Sequence, residues 1–249
     1  GANIGWGAWY PNIKVLAQNF TVYAIDLPGC GNSTILDFHK ADLEKDFVKI
    51  VETFIKIKQL TNLSIIGHSL GGWIALKLVL RGNQINRLVL ESSIGFTDYI
   101  PWNYRALAFY PFAQLLTRTA MKPTKKNMKN FLQSVLAKRS TFSDEFIEYF
   151  HQNVSKSPQS HPFLFLQRLF SPLNLRKELN LVHQLKLINC PVLVIAAAQD
   201  PLIPLQHIKK TALFIPNVIL EIFNSSGHVP SLENSIEFNR KTLHFLNRN

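Results

Sequence analysis

One serine, one aspartate and one histidine occupy positions where they could form a nucleophilic catalytic site. Ser69 lies in the sequence GHSLGG, directly after an apolar run. Asp200 follows the apolar run PVLVIAAA, and His228 stands in SGHVP, shortly after the last apolar run of the chain. A serine hydroxyl is a poor nucleophile at its own pKa, and it needs a base that is itself oriented by an acid. Together the three residue types could attack a carbonyl carbon.

The surroundings of Ser69 predict how its hydroxyl would be presented. Residues 63–67 are typical of a strand and residues 72–80 of a helix, so the serine lies in the strand–turn–helix setting of a nucleophile elbow. We expect Gly67 and Gly71 to remove side chains that would clash at this turn. The Leu70 N–H, at the start of the helix, is the predicted oxyanion-hole donor. The alternative is an ordinary strand-to-helix loop, in which glycine and serine are common.

The remaining apolar runs predict strands that alternate with helices. Short runs rich in β-branched residues and closed by glycine, proline or a polar residue are typical of buried strands. Apolar residues spaced three and four apart are typical of one face of a helix. The predicted strands are 21–27, 63–67, 87–90, 191–198 and 219–223, and the predicted helices are 41–60, 72–80 and 235–246.

This alternation predicts an α/β fold with a mostly parallel, doubly wound sheet. The strands show continuous rather than alternating apolarity, which is typical of a sheet covered on both faces. Residues 94–189 interrupt the pattern because they are aromatic, basic and helical in spacing. We therefore predict a core formed by residues 1–93 and 190–249, with residues 94–189 as a helical cap insertion.

Four motifs resemble the α/β-hydrolase fold superfamily, and in particular its capped, esterase-like serine members. The motifs are DLPGCGNS (26–33), GHSLGG (67–72), AAAQDPLIP (196–204) and SGHVPSLENSIEFNRKTLHFL (226–246). The order Ser69, Asp200, His228 is also the order of that family. The resemblance implies a serine hydrolase that cleaves a carboxylic ester of small or medium size through an acyl-enzyme, without a cofactor. The alternatives are a carbon–carbon bond hydrolase of the same fold and a ligand-binding receptor or scaffold with low turnover.

The same resemblance implies that strands are missing at the N-terminal end of the sequence. Residues 1–3 look like those just after the family's His-Gly motif, whose following residue donates the second oxyanion-hole N–H. In the family's sheet, the third strand lies between the strands that correspond here to 21–27 and 63–67. We expect the chain to be a fragment of a longer protein, with that strand and the second donor upstream of residue 1.

Several other polar residues have a structural interpretation beside a functional one. Glu91, near the end of strand 87–90, is the alternative acid for orienting the base. His68 is expected to pack and hydrogen bond within the elbow, pointing away from Ser69. The other histidines show no metal-ligand spacing, so no metal site is predicted. The aromatic residues of 96–112 could line an acyl pocket or form the core of the insertion.

Composition sets the class of protein and its expected partners. A chain of 249 residues with 47% hydrophobic residues can bury a large core, and it has no apolar run of membrane-spanning length. Two distant cysteines are typical of a reducing compartment, and we expect a cytoplasmic protein, or an organellar one if a targeting segment is missing.

The net charge of +11 is concentrated in 118–139, where basic residues occur without an acid. This stretch is either a solvated face or a patch for an anionic or carrier-bound substrate. Nucleic-acid motifs are absent, and the oligomeric state is not predicted.

Overall fold

The four strands form one parallel sheet whose carboxyl ends lie along a common edge. The computed structural model describes residues 5–38, 40–99, 101–102, 110–119, 122–137, 143–156, 161–171 and 175–248. The strand order is β1-β2-β3-β4, and every neighbouring pair is parallel. The strands are β1 (Leu63–His68), β2 (Ile85–Glu91), β3 (Val192–Ala197) and β4 (Val218–Phe223). Each of them matches a strand predicted from the sequence to within two residues at either end.

Helices cover the sheet and fill the segment between β2 and β3. Short 3-10 turns stand at Trp6–Trp9, Lys177–Leu179, Val182–Leu187 and Ala212–Phe214, and a π-helical turn stands at Glu44–Val48. The α-helices are α1 (Tyr10–Leu16), α2 (Lys49–Ile57), α3 (Leu70–Leu80), α4 (Tyr110–Arg118), α5 (Lys125–Val135), α6 (Asp144–Ser155), α7 (Pro162–Leu169), α8 (Leu205–Thr211), α9 (Pro230–Glu233) and α10 (Ser235–Leu246).

Both faces of the sheet are buried at its centre, as the continuous apolarity of its strands predicts, whereas most residues of β1 and β4 are half-buried. All six residues of β3 are buried. On one face, Leu88 and Val194 belong to a core cluster that also contains Trp73 and Leu76 of α3. On the opposite face, Val89, Leu193 and Ile195 pack with Phe238 and Phe245 of α10. Such double burial holds the strand ends rigidly, which matters because the candidate residues follow those ends.

Within the predicted insertion, the described residues form helices α4 to α7 and an isolated bridge between Phe170 and Leu175. Helices α5 and α6 pack through a small cluster of their own, which includes Met128, Leu132 and Phe150. Ser143 and Thr124 cap the N-termini of α6 and α5, since each hydroxyl accepts a backbone N–H of the first turn. The division into core and cap remains an interpretation of this arrangement.

Residues 21–27 are extended but do not form the buried strand that the sequence predicts. They pair with no strand among the described residues, and each of them is at least partly exposed. A groove of 790 Å³ is lined by residues of both 21–27 and β1, so no described strand lies between them to supply a ladder. A strand without a neighbouring ladder leaves its N–H and C=O groups unpaired by backbone. The expectation that further strands precede residue 1 stays a prediction, and residues 1–3 lie outside the described residues.

Two further properties bear on the predicted class of protein. No described helix is long and apolar enough to cross a bilayer. Cys30 and Cys190 are both buried, and no disulfide joins them.

Candidate active site

Ser69 stands at the sharp turn between β1 and α3, in a backbone conformation that side chains rarely adopt. Its φ is 53° and its ψ is −115°. The turn is held by the backbone, because Ser69 N–H donates to the Glu91 carbonyl at 2.9 Å and the Ser69 carbonyl accepts from Gly72 and Ile94. A residue kept at positive φ costs about 1–3 kcal/mol and persists only where its surroundings impose it. The turn therefore has the strained geometry of the predicted nucleophile elbow.

The glycines beside the elbow explain how β1 and α3 approach each other. A Cβ on Gly67 would lie 2.5 Å from the Gly71 carbonyl oxygen, and a Cβ on Gly72 would lie 2.1 Å from the Ser93 hydroxyl. A Cβ on Gly71 would meet nothing within 4 Å. The prediction for Gly67 is confirmed and that for Gly71 is wrong. Gly72, rather than Gly71, provides the second close approach, because it is the helix residue that faces the strand.

Asp200 and His228 meet at the ends of β3 and β4. His228 Nδ1 lies 2.9 Å from Asp200 Oδ2 and 3.1 Å from Oδ1. The Asp200 side chain is fully buried and that of His228 is 8% exposed. Asp200 Oδ1 also accepts the backbone N–H groups of Leu202 and Ile203, which fix the carboxylate. Because Nδ1–H donates to this carboxylate, Nε2 is left with the lone pair that a general base needs.

Ser69 and His228 are not hydrogen bonded to each other. The polar contacts of His228 are with Asp200, His68 and Val135. Ser69 itself is half-buried. In unliganded active sites, catalytic hydrogen bonds are often long or absent and form only with substrate present. The predicted acid, Asp200, and the predicted base, His228, are therefore in direct hydrogen-bond contact. His228 has no such contact with Ser69, but it contacts His68, the residue before Ser69.

That residue, His68, contacts His228 more closely than the sequence suggested. The two rings are 4.9 Å apart between centroids, edge to face, and His68 Nε2–H donates to the His228 carbonyl at 3.0 Å. Burial, with the nearby His228 as a smaller cause, holds the pKa of His68 well below its usual range. His68 is therefore a neutral hydrogen-bond donor that fixes the loop of His228. Sequence reasoning identified a packing role but not this partner, because the two residues are 160 positions apart.

Glu91, the alternative acid, faces a different partner. Its carboxylate accepts the backbone N–H and the hydroxyl of Ser231, and it makes no hydrogen bond with the His228 ring. The side chain is completely buried, and this desolvation raises the pKa of Glu91 to about 7 against the lowering effect of the bonds from Ser231. The geometry therefore favours Asp200 over Glu91 as the residue that orients His228.

Leu70, the predicted oxyanion donor, directly follows Ser69. It is the first residue of α3, and the first N–H groups of a helix have no partner within that helix. A developing negative charge on a carbonyl oxygen above Ser69 would find this N–H and the positive end of the helix. The second donor is expected upstream of residue 1, and residues 1–4 lie outside the described residues.

The other sequence-based candidates give a mixed picture. Within the described ranges, no group of three or more histidine, cysteine, aspartate or glutamate side chains could hold a metal ion.

Of the basic stretch, Lys122, Lys126 and Lys129 are exposed. Lys125 pairs with Glu148, and residues 138 and 139 lie outside the described residues. Among the aromatic residues of 96–112, Phe96 is fully buried in the main core and Trp102 is 80% exposed, while residues 103–109 are not described.

Known proteins resemble both the sequence and the fold. The 2-hydroxy-6-oxononadienedioate/2-hydroxy-6-oxononatrienedioate hydrolase of Burkholderia vietnamiensis is 24% identical over 250 residues, covering 98% of this chain and 83% of the relative. A solved meta-cleavage product hydrolase from Pseudomonas fluorescens IP01 superposes with a TM-score of 0.78 at 20% identity, covering 98% of this chain and 85% of the other. An esterase from Exiguobacterium antarcticum superposes with a TM-score of 0.76 at 18% identity, covering 98% and 88%.

The family itself follows from a match along most of the chain. The model that describes the alpha/beta hydrolase fold matches residues 1–235, which include the elbow and the loops that carry Asp200 and His228. The parallel sheet, the helices on its two faces and the positions of the strand ends agree with that match. This chain belongs to the alpha/beta hydrolase fold family.

Proposed function

We propose that this chain is a serine hydrolase that cleaves the carbon–carbon bond beside a ketone in a small unsaturated keto acid. Ser69 is the nucleophile, His228 the general base and acid, and Asp200 the residue that orients the imidazole. The observation that carries this assignment is the buried Asp200–His228 pair, at 2.9 Å, on the loop that packs against the residue before the strained serine. The substrate class is supported by the names of the relatives and by the net charge of +11, which suits an anionic substrate.

The reaction follows from the positions of these groups. Ser69 Oγ attacks the ketone carbon while His228 Nε2 takes its proton, and the Leu70 N–H donates to the resulting oxyanion. In the keto tautomer of the substrate, in which the carbon beside the ketone carries an added proton, the carbon–carbon bond then breaks. Its electron pair passes into the adjoining enone to form a dienolate, and His228 returns the serine proton to that dienolate. Water, activated by the same imidazole, hydrolyses the acyl-serine and releases a carboxylic acid. Each turnover consumes one water, and the residues return to their starting state.

Ester hydrolysis, the first expectation from the sequence, is the second candidate. It uses the same attack and the same acyl-enzyme, and it differs only in the atom that leaves, an oxygen instead of a carbon. The structural likeness to a solved esterase supports it. The two candidates are therefore separated by substrate preference and not by the identity of the catalytic residues.

The deciding experiment compares two substrates on one enzyme. The first is 2-hydroxy-6-oxononadienedioate, followed by the loss of its conjugated absorbance and by the release of succinate. The second is p-nitrophenyl butyrate. We expect kcat/KM for the keto acid to exceed that for the ester by about 100-fold or more. Polar groups that bind a substrate carboxylate would be left unpaired by a substrate without one. A preference of similar size for the ester would make the chain an esterase.

A covalent probe tests the catalytic assignment apart from the substrate. A fluorophosphonate should add to Ser69 with displacement of fluoride, and Ser69→Ala should not be labelled. Absence of labelling, together with no turnover of either substrate, would favour the ligand-binding scaffold.

A further inference from the structure

The loop that carries His228 is seated on the helical insertion as well as on the sheet. His228 N–H donates to the carbonyl of Val135, the last residue of α5, at 2.8 Å. A Cβ on Gly227 would lie 2.4 Å from the backbone nitrogen of Ala137 and 2.7 Å from the carbonyl carbon of Leu136. Glycine is thus required here by close approach of two backbones. The insertion and the candidate base are in direct contact.

Glu233, on α9, joins the two sides of this contact with one carboxylate. Its Oε1 accepts the N–H of Gly227 at 2.8 Å and the N–H of Val229 at 3.3 Å. Its Oε2 accepts the N–H of Ala137 at 2.8 Å. The amides on both sides of His228 and one amide of the insertion are therefore held by a single side chain.

Apolar side chains pack beside this contact and partly shield it from water, since the hydrogen bonds of Glu233 are part-buried. Val135, Leu136 and Val229 form a buried cluster, against which Leu202 and Leu232 pack. Hydrogen bonds to a carboxylate are strengthened in such surroundings, and displacing one partner leaves a buried polar group unsatisfied. Shifting residue 137 would therefore change the position that Glu233 can adopt, and with it the loop on either side of His228.

We infer that Glu233 is a positioning residue that makes the placement of His228 depend on the seating of residues 135–137 of the insertion. The base is set for proton transfer when the insertion is docked, and it is displaced when the insertion lifts. This inference rests on the proposed function in one respect, since it takes His228 to be the base. Glu233 itself touches no reacting atom.

Two variants break the link from its two sides. Glu233→Gln puts an amide NH₂ against a backbone donor, so it cannot satisfy all three N–H groups. Ala137→Pro removes the N–H on the insertion and puts the ring Cδ in its place against the Glu233 carboxylate, so it breaks the contact from the side of the insertion. It suits the preceding residue, because Leu136 has φ −102° and ψ 151°, the extended conformation that a following proline favours. The matched control is Glu237→Gln on α10, whose side chain is 48% exposed.

The first measurement is hydrogen exchange at the amides of the loop 224–232. If Glu233 transmits the seating of the insertion, Ala137→Pro speeds exchange at Gly227 and Val229 although it lies on another segment. The control leaves exchange unchanged. Unchanged exchange in Ala137→Pro would overturn the link, whatever the chemistry of the enzyme. This arm needs no substrate, so its outcome is independent of the proposed function.

The second measurement is the rate at which a fluorophosphonate labels Ser69. We expect Ala137→Pro to lower the rate about tenfold and Glu233→Gln by at least as much, since coupling between sites typically amounts to 5–150-fold. The double variant should be no slower than Glu233→Gln alone, because both changes break one link. If the losses of the two single variants add in the double variant, or if Ala137→Pro is labelled at the normal rate, the inference is wrong. Glu233 would then support only its own loop. A wild-type enzyme that is never labelled would instead refute the proposed nucleophile.

Discussion

The strand ends and the helical insertion both reach His228, but they contribute different things. The ends of β3 and β4 deliver side chains that can exchange protons, Asp200 and His228, and the end of β1 leads into Ser69. The insertion contributes backbone groups of Val135 and Ala137, which contact the loop and Glu233. Chemistry therefore belongs to the sheet edge, and placement is shared with the insertion.

This difference has an energetic reason. A strand in a parallel sheet is fixed by its ladder, so a residue just past its end has little freedom. Among the described strands, β2 and β3 pair on both sides, and β1 and β4 pair on one side. The α5–α6 part of the insertion packs through a smaller cluster, whereas other residues of 94–189, such as Phe96, Leu164 and Leu185, belong to the main core. Changes at the strand ends should consequently cost orders of magnitude in rate, whereas changes on the insertion should cost small factors.

The largest effect is expected from Ser69→Ala. Without its nucleophile, the enzyme should lose on the order of 10⁶ in kcat, as other serine hydrolases do. The free energy of unfolding should not change, because the Ser69 hydroxyl is only half-buried and the backbone strain remains. Initial rates and thermal melting of the two proteins check this. Residual activity above a few per cent would mean that another residue is the nucleophile and that the end of β1 does not supply the reacting group.

The next effect sets Asp200 against Glu91. Asp200→Asn should lower kcat by about 10⁴, because an amide that donates to Nδ1 stabilises the wrong imidazole tautomer. Glu91→Gln should lower it less than about tenfold, because Glu91 bonds to Ser231 and not to the imidazole. Steady-state kinetics of both variants on one substrate decide the matter. If Glu91→Gln is the more damaging change, the acid has been assigned to the wrong strand end.

Glu91 should instead make stability depend on pH. Its pKa is about 7 in the folded chain against 4.5 for an ordinary glutamate, so the folded state holds a proton that the unfolded state releases between these values. The free energy of unfolding therefore falls as the pH rises from about 4.5 to about 7, by on the order of 3 kcal/mol. Glu91→Gln, which cannot ionise, should lack this loss.

Urea unfolding at pH 5 and pH 8 measures that difference. Glu237→Gln on α10 serves as the control at a largely solvent-facing position. An equal pH dependence in wild type and Glu91→Gln would mean that Glu91 is ionised in the folded protein at neutral pH.

The smallest effect is expected from the exposed lysines on α5 and just before it. Replacing the exposed Lys122, Lys126 and Lys129 with glutamine should lower kcat/KM for a dicarboxylate by about threefold at low salt, through slower association. Added salt should remove the difference, since surface charges are screened within ~8 Å at physiological ionic strength. The neutral p-nitrophenyl butyrate should be unaffected. The control for net charge removes three charges elsewhere by the same change to glutamine, at the exposed Lys45, Lys56 and Lys58 before and near the end of α2. Equal losses of kcat/KM in the lysine variants and in the control would mean that these lysines are ordinary solvated surface.

Much of the core could be predicted from the sequence because its signals are local. Continuous apolar runs such as 191–198 require burial on both faces, and their ends place Asp200 and the loop of His228 at one edge. The elbow is likewise local, since Gly67 and Gly72 lie within a few residues of Ser69. The segment 21–27 shows the limit of such reasoning. Its composition is that of a strand, yet a strand also needs a partner, and composition carries no information about the neighbour.

Only the tertiary structure decided which groups meet across long stretches of sequence. The sequence alone determined that a serine, an acid and a base follow strand ends, because apolarity and turn residues mark those ends. It left both Asp200 and Glu91 open as the acid, and the fold decided by turning Glu91 toward Ser231. It also gave no sign that His68 supports His228, or that Glu233 joins that loop to Ala137. Such contacts depend on how loops pack after the sheet has formed, and no local pattern records that packing.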